Sequence, residues 1–199
     1  MTRLVPLPFE QWGEEARRVL PSYLRRPELY LSGGPDARPM PTVLGLLALH
    51  LPLGDAWLSF NDVLDKQTVL DIRLRELIVL RVAWRTGSAY EWAQHTRMGA
   101  HAGLSAEQLH AMPTGATNAV WTPVERALLT ATDQMIDRHR VDDATWTELA
   151  EHFSDAELIE VLFVAGAYLC FAVLLNSVGL QPDPPTEPID APVLPGAED

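Results

Sequence analysis

A helix declares its start when a Ser or Thr is followed three residues on by Glu or Gln, because each side chain then satisfies a backbone N–H that the helix leaves unpaired. The chain carries this pairing three times, as Ser105-Ala-Glu-Gln108, Thr122-Pro-Val-Glu125 and Ser154-Asp-Ala-Glu157. Pro123 takes the first helical position after Thr122, where a missing N–H costs nothing. Gly87, Gly103 and Gly179 stand at the other ends, where a left-handed residue closes a helix. No window alternates apolar and polar residues with the turn chemistry that a hairpin needs. The punctuation predicts an all-α, multi-helix fold.

Periodicity fills in the remaining helices. Residues 9–20 form a short amphipathic helix ended by Pro21, and 42–65 a helix bent or broken at Pro52. Residues 71–86 place Leu74, Leu77, Ile78, Leu80, Val82 and Ala83 among the charges Arg73, Arg75, Glu76, Arg81 and Arg85, an amphipathic pattern closed by Gly87. Residues 88–102 continue as helix to Gly103, and the three boxes open helices from 105 to just before Pro113, from 122 to about 138 and from 154 to 179. Glu76-Leu-Ile and Glu157-Leu-Ile each lead into an apolar helix, which leaves open a diverged two-fold helical repeat beside chance resemblance.

A chain of 199 residues, 47% of them hydrophobic, can bury one sizeable core, and residues 1–180 are read as a single helical domain. Residues 27–41, rich in proline around Gly33 and Gly34, form an irregular surface loop that can cover a site. The tail, 181–199, holds six prolines and is extended or disordered; if ordered, it lies across a partner subunit.

Charge narrows the partners. With 27 acidic against 15 basic residues the net charge is -12, a field that repels phosphate and so argues against nucleic acid and anionic membranes. The apolar run over 158–180 is long enough to span a bilayer, but Glu160 and Asn176 interrupt it and a core helix is expected. The lone Cys170 on that run permits no disulfide within one chain and is expected to be a small buried core residue. The N-terminal residues lack an apolar stretch of secretory length, so a cytoplasmic protein is expected.

The candidate chemistry lies in Tyr90-Glu91-Trp92-Ala93-Gln94-His95. Residues four apart on a helix share a face, so the Glu91 carboxyl and the His95 imidazole project side by side and can exchange protons with a ligand near neutral pH. An exposed i, i+4 pair of no functional consequence fits the same spacing. Tyr90, Trp92 and Trp84 supply aromatic surroundings suited to a carbonyl compound, although aromatics at helical spacing also build cores. A metal held by His95, Glu91 and Glu76 is disfavoured, because no second histidine has suitable local spacing: His101 and His110 read as exposed, and His50 and His139 fall on other helices. Ser88 lacks the glycine-rich elbow of a nucleophile and reads as a helix cap.

Glu76, eleven residues, Ser88, two residues, Glu91, three residues and His95 together reproduce a spacing that resembles the carboxymuconolactone decarboxylase and alkylhydroperoxidase D-like superfamily. The segments around Arg75-Glu76 and Ala102-Gly-Leu-Ser-Ala-Glu-Gln108 are similar to that family as well. In its peroxidase branch the positions of Ser88 and Glu91 hold two redox cysteines, so this chain, without either thiol, is expected to be no thiol peroxidase. The resemblance implies an all-helical fold, a homo-oligomer (dimer, trimer or hexamer) built through its helices, and no metal or organic cofactor. It further implies acid-base chemistry on a small carbonyl or lactone acid: decarboxylation, isomerisation or a related proton transfer. His95 backed by Glu91 would be the donor or base, and Glu76 would orient or relay. Tyr90, Trp84 and Ser88 would line the substrate, and Arg81 or Arg85 would bind a carboxylate. The alternative is a catalytically silent helical oligomer that binds a small hydrophobic ligand or a protein partner.

Overall fold

A computed structural model describes residues 2–34 and 37–195. Every regular element among them is helical: α1 (Glu14–Val19), α2 (Glu28–Leu31), α3 (Thr42–Leu47), α4 (Leu51–Lys66), α5 (Ile72–Thr86), α6 (Ala89–His101), α7 (Ala106–Ala111), α8 (Pro123–Arg138), α9 (Asp143–Ala150) and α10 (Asp155–Val178), joined by short 3-10 segments. The chain divides into two compact units. One unit runs through Gln67 and also takes Val178–Asp183; the other comprises Thr68–Ser177 and the chain from Pro184 on.

The first unit is centred on Trp12, Ala16, Leu20 and Leu44, with Leu7, Phe9, Met40 and Leu58 packed around them. Gly45 allows its tight crossing: a Cβ there would sit 2.5 Å from the Leu7 carbonyl oxygen. The backbone N–H of Leu7 bonds to the Gly45 carbonyl in return. The break expected at Pro52 falls earlier, at Ala48–His50. Pro52 instead stands in the first turn of α4, where it has no helical N–H to lose, and the His50 side chain accepts from Leu53 N. Residues 178–183 return here through Arg3 N to Val178 O, Thr2 Oγ1 to Gly179 O and Thr42 N to Asp183 Oδ1.

In the second unit α5 is central and packs on both α6 and α8. Arg75 through Ala83 are all buried, so α5 is not the amphipathic surface helix that its charge pattern suggested. Its charges are neutralised inside the unit, which is how a helix can carry them into a core. The boxes at Ser105 and Thr122 close with both reciprocal bonds. Ser154 and Glu157 exchange the same bonds at the head of α10. Helix α9, not anticipated, begins on an Asp142 side-chain cap without a box glutamate behind it. Helix α10 is only partly a core helix, since Ile159, Phe163 and Val173 are more than half exposed. Cys170 lies on that exposed side and is not the buried residue expected.

The described part of the tail, to Pro195, contains neither helix nor strand. Within the second unit it runs along α6 and α7. Trp92 Nε1 donates to Pro192 O at 3.1 Å, and Arg97 donates to Thr186 at 2.8 Å. His101 and His110 pair with Glu187 and Asp190. Leu194 is buried.

Candidate active site

The link between α5 and α6 sets the geometry. Gly87 takes a left-handed φ of 65°, which only glycine adopts without strain, and Ser88 N reaches back to Ala83 O at 2.9 Å, closing α5 as it opens α6. The two helices then run against each other at a small contact. A Cβ on Gly99 would meet Leu80 and Leu104 at 2.9 Å and Glu76 Cβ at 3.7 Å, so the absence of a side chain there brings His95 and Glu76 together.

Glu76 is buried between two partners. Arg75 Nη1 donates to its Oε1 at 2.6 Å, and its Oε2 lies 2.7 Å from His95 Nδ1. Arg75 supplies the countercharge. In a neutral imidazole, a hydrogen on Nδ1 donated to that carboxylate leaves the lone pair on Nε2. Tyr168 on α10 fixes the other sides: its hydroxyl lies 3.0 Å from Arg75 Nη2, and its ring meets the His95 ring edge-on at 5.0 Å. His95 is therefore backed by Glu76, not by Glu91 as the i, i+4 spacing suggested. The reason is that α5 brings Glu76 Oε2 within 2.7 Å of Nδ1.

Glu91 behaves differently. It is 2% exposed, and neither carboxyl oxygen makes a hydrogen bond. Burial pushes its pKa up to about 8, with the neighbouring Ser88 hydroxyl opposing the shift without meeting hydrogen-bond geometry. Glu91 is thus mostly protonated at neutral pH. Glu125 supplies the contrast: burial acts on it too, but bonds from Thr122 and from Arg73 overcome burial and hold it below the usual range. Ser88 occupies the N-cap position of α6, yet its hydroxyl caps nothing and is itself buried without a hydrogen bond.

The other expected residues fall around this centre in varying roles. Trp84 packs edge-on against Trp92 at 5.2 Å, and Tyr90 is buried on α6. Arg81 is not available to a substrate carboxylate. It forks onto both oxygens of Asp133, at 2.7 and 2.8 Å, and donates to Met112 O. Gly115, at φ 59°, makes room for it, because a Cβ there would lie 2.5 Å from the guanidinium. Arg85 is taken by Asp133 and Asp137. Arg75 and Tyr168 were not singled out in the sequence. For Tyr168 the legible signal was a hydroxyl on a strongly apolar helix; Arg75, one of several charges between Asp71 and Glu76, carried none of its own. Among the described residues no three His, Cys, Asp or Glu side chains gather as a metal site requires.

Residues 52–134 match the model of the carboxymuconolactone decarboxylase family. No curated protein matches the sequence. Among solved structures, an uncharacterized peroxidase-related protein with an alkylhydroperoxidase AhpD core from Ralstonia eutropha is similar at 19% identity, covering 92% of each chain with a TM-score of 0.75. An uncharacterized peroxidase-related protein from a Silicibacter species is 18% identical over 92% of each chain, with a TM-score of 0.73. A debrominase variant in complex with 2,3,4-tribromopyrrole is 17% identical over 91% of each chain, with a TM-score of 0.69. At these identities the likeness is one of fold.

Proposed function

We propose that the chain, whose residues 52–134 match the model of the carboxymuconolactone decarboxylase family and whose fold is alkylhydroperoxidase D-like, is an acid-base enzyme moving protons on a small carbonyl compound. One observation carries this reading: a buried histidine held by a carboxylate at Nδ1 lies one helical turn from a buried carboxylic acid that keeps its proton at neutral pH. His95 Nε2 takes a proton from the carbon next to the carbonyl. The electron pair of that C–H bond moves into the carbonyl group, whose oxygen is protonated by Glu91. His95 then returns its proton to carbon, and Glu91 recovers its own. Glu76 and Arg75 orient His95 and balance its charge throughout, and Ser88 contacts the substrate. The cycle is neutral overall and uses only groups of this chain.

Thiol peroxidation is not proposed, because the positions of the two redox cysteines hold Ser88 and Glu91, which have no sulfur. The partners we propose are the carbonyl substrate and a second copy of the chain over the exposed apolar side of α10. The test of the chemistry is His95→Gln, which keeps a donor toward Glu76 and removes the base. Deuterium uptake from D2O by small ketones and lactones, followed by NMR, should fall by about 100-fold or more while the circular dichroism spectrum is retained. Unchanged exchange would exclude His95 as the base.

A further inference from the structure

We propose that the molecule turned over at this site is uncharged: a neutral ketone or lactone, not the carboxylate-bearing lactone acid that the family resemblance suggests. This rests on the acid-base reading above and names its substrate class. The reasoning is an accounting of charge. A buried substrate carboxylate needs a cation or several hydrogen-bond donors, because its desolvation is otherwise uncompensated. On α5 and α6, the helices that carry Glu76, Ser88, Glu91 and His95, four of the five arginines are neutralised by carboxylates. Arg75 pairs with Glu76 at 2.6 Å, and Arg73 pairs with Glu125 at 2.5 Å. Arg81 and Arg85 share Asp133. Arg97 donates to Gln94 and to Thr186 of the tail.

What the site does offer is neutral. The hydroxyl of Ser88 and both carboxyl oxygens of Glu91 are buried and lack hydrogen bonds. They sit within the first turn of α6, at 0% and 2% exposure. A protonated carboxyl and a hydroxyl together give donors to a carbonyl oxygen and acceptors to an enol. An incoming carboxylate would instead meet the Glu76 carboxylate, whose own arginine, Arg75, is already taken up in that pair. The reaction class that follows is tautomerisation or double-bond migration: the proton leaves one carbon to His95 Nε2 and returns to another, with no group lost.

The test uses the full chain at pH 7 and two probes. One is α-angelica lactone, an uncharged β,γ-unsaturated γ-lactone; the other is the analogue whose methyl group is replaced by carboxymethyl. Affinity is read from tryptophan fluorescence or ligand-observed NMR, and proton transfer from deuterium uptake at the ring methylene. The uncharged lactone should bind about tenfold more tightly or better, and only it should exchange. Equal or tighter binding of the acid overturns the inference while leaving the acid-base reading intact if exchange persists. Preferential binding of the uncharged probe without exchange defeats the acid-base reading and, with it, the inference about turnover. Binding of neither at millimolar concentration overturns the inference.

Discussion

Glu91 is the residue whose state decides the most. Its folded-state pKa is raised, so the fold favours the protonated form. Below the ordinary value of 4.5 folded and unfolded chains both hold the proton. Between there and about 8 only the folded chain does, so stability is lost as pH rises through that window and the loss is complete above it. Glu91→Gln, neutral at every pH, should therefore be more stable than the parent by a margin that grows from pH 5 to pH 8 and then levels, reaching on the order of a few kcal/mol. Thermal melts of both proteins across that range check this; a margin independent of pH would mean that Glu91 is not a buried acid. The spacing of Glu91 and His95 was legible in the sequence. Glu76 entered only through the four-position resemblance, because a helical repeat reports neighbours along one helix, whereas Glu76 arrives from another.

At the scale of elements, the helix ends were readable and the helix faces were not. Capping boxes at Ser105 and Thr122 and the glycine at 87 mark boundaries through local backbone needs, which sequence records directly. Burial on α5 depends on what its arginines meet, and Asp133, Glu125 and Gly115 come from distant stretches of chain. The contact between α5 and α6 depends on one small residue. Gly99→Val would drive a side chain into Leu80 and Leu104 and move Glu76 from His95. It should cost about 1–3 kcal/mol by overpacking, and proton-transfer activity should fall more than stability alone explains. Melting temperature and exchange rate, measured together, test this; a variant as stable and active as the parent would show that the helices have slack here.

The whole molecule brings its tail to α6 of the same unit, where the sequence suggested an arm across a partner. Composition signalled an extended segment but not its destination, which the hydrogen bonds from Trp92 and Arg97 and the buried side chain of Leu194 determine. Ending the chain at Asp183 should lower stability by about 2–4 kcal/mol, from one lost buried leucine and several hydrogen bonds. The His101 and His110 pairs are exposed and add little to that sum. Acrylamide quenching of tryptophan fluorescence should rise at the same time. An unchanged melting temperature would mean that the tail rests on α6 without holding it.

The path of the chain through its two units has a consequence for synthesis. The chain leaves the first unit after Gln67, builds most of the second, returns for Val178–Asp183 and leaves again. The first unit therefore lacks its last piece until residue 183 has emerged from the ribosome, roughly ten seconds after residue 67 at ordinary elongation rates. Neither unit corresponds to one uninterrupted stretch of gene, so neither can be moved to another protein by a single cut and join.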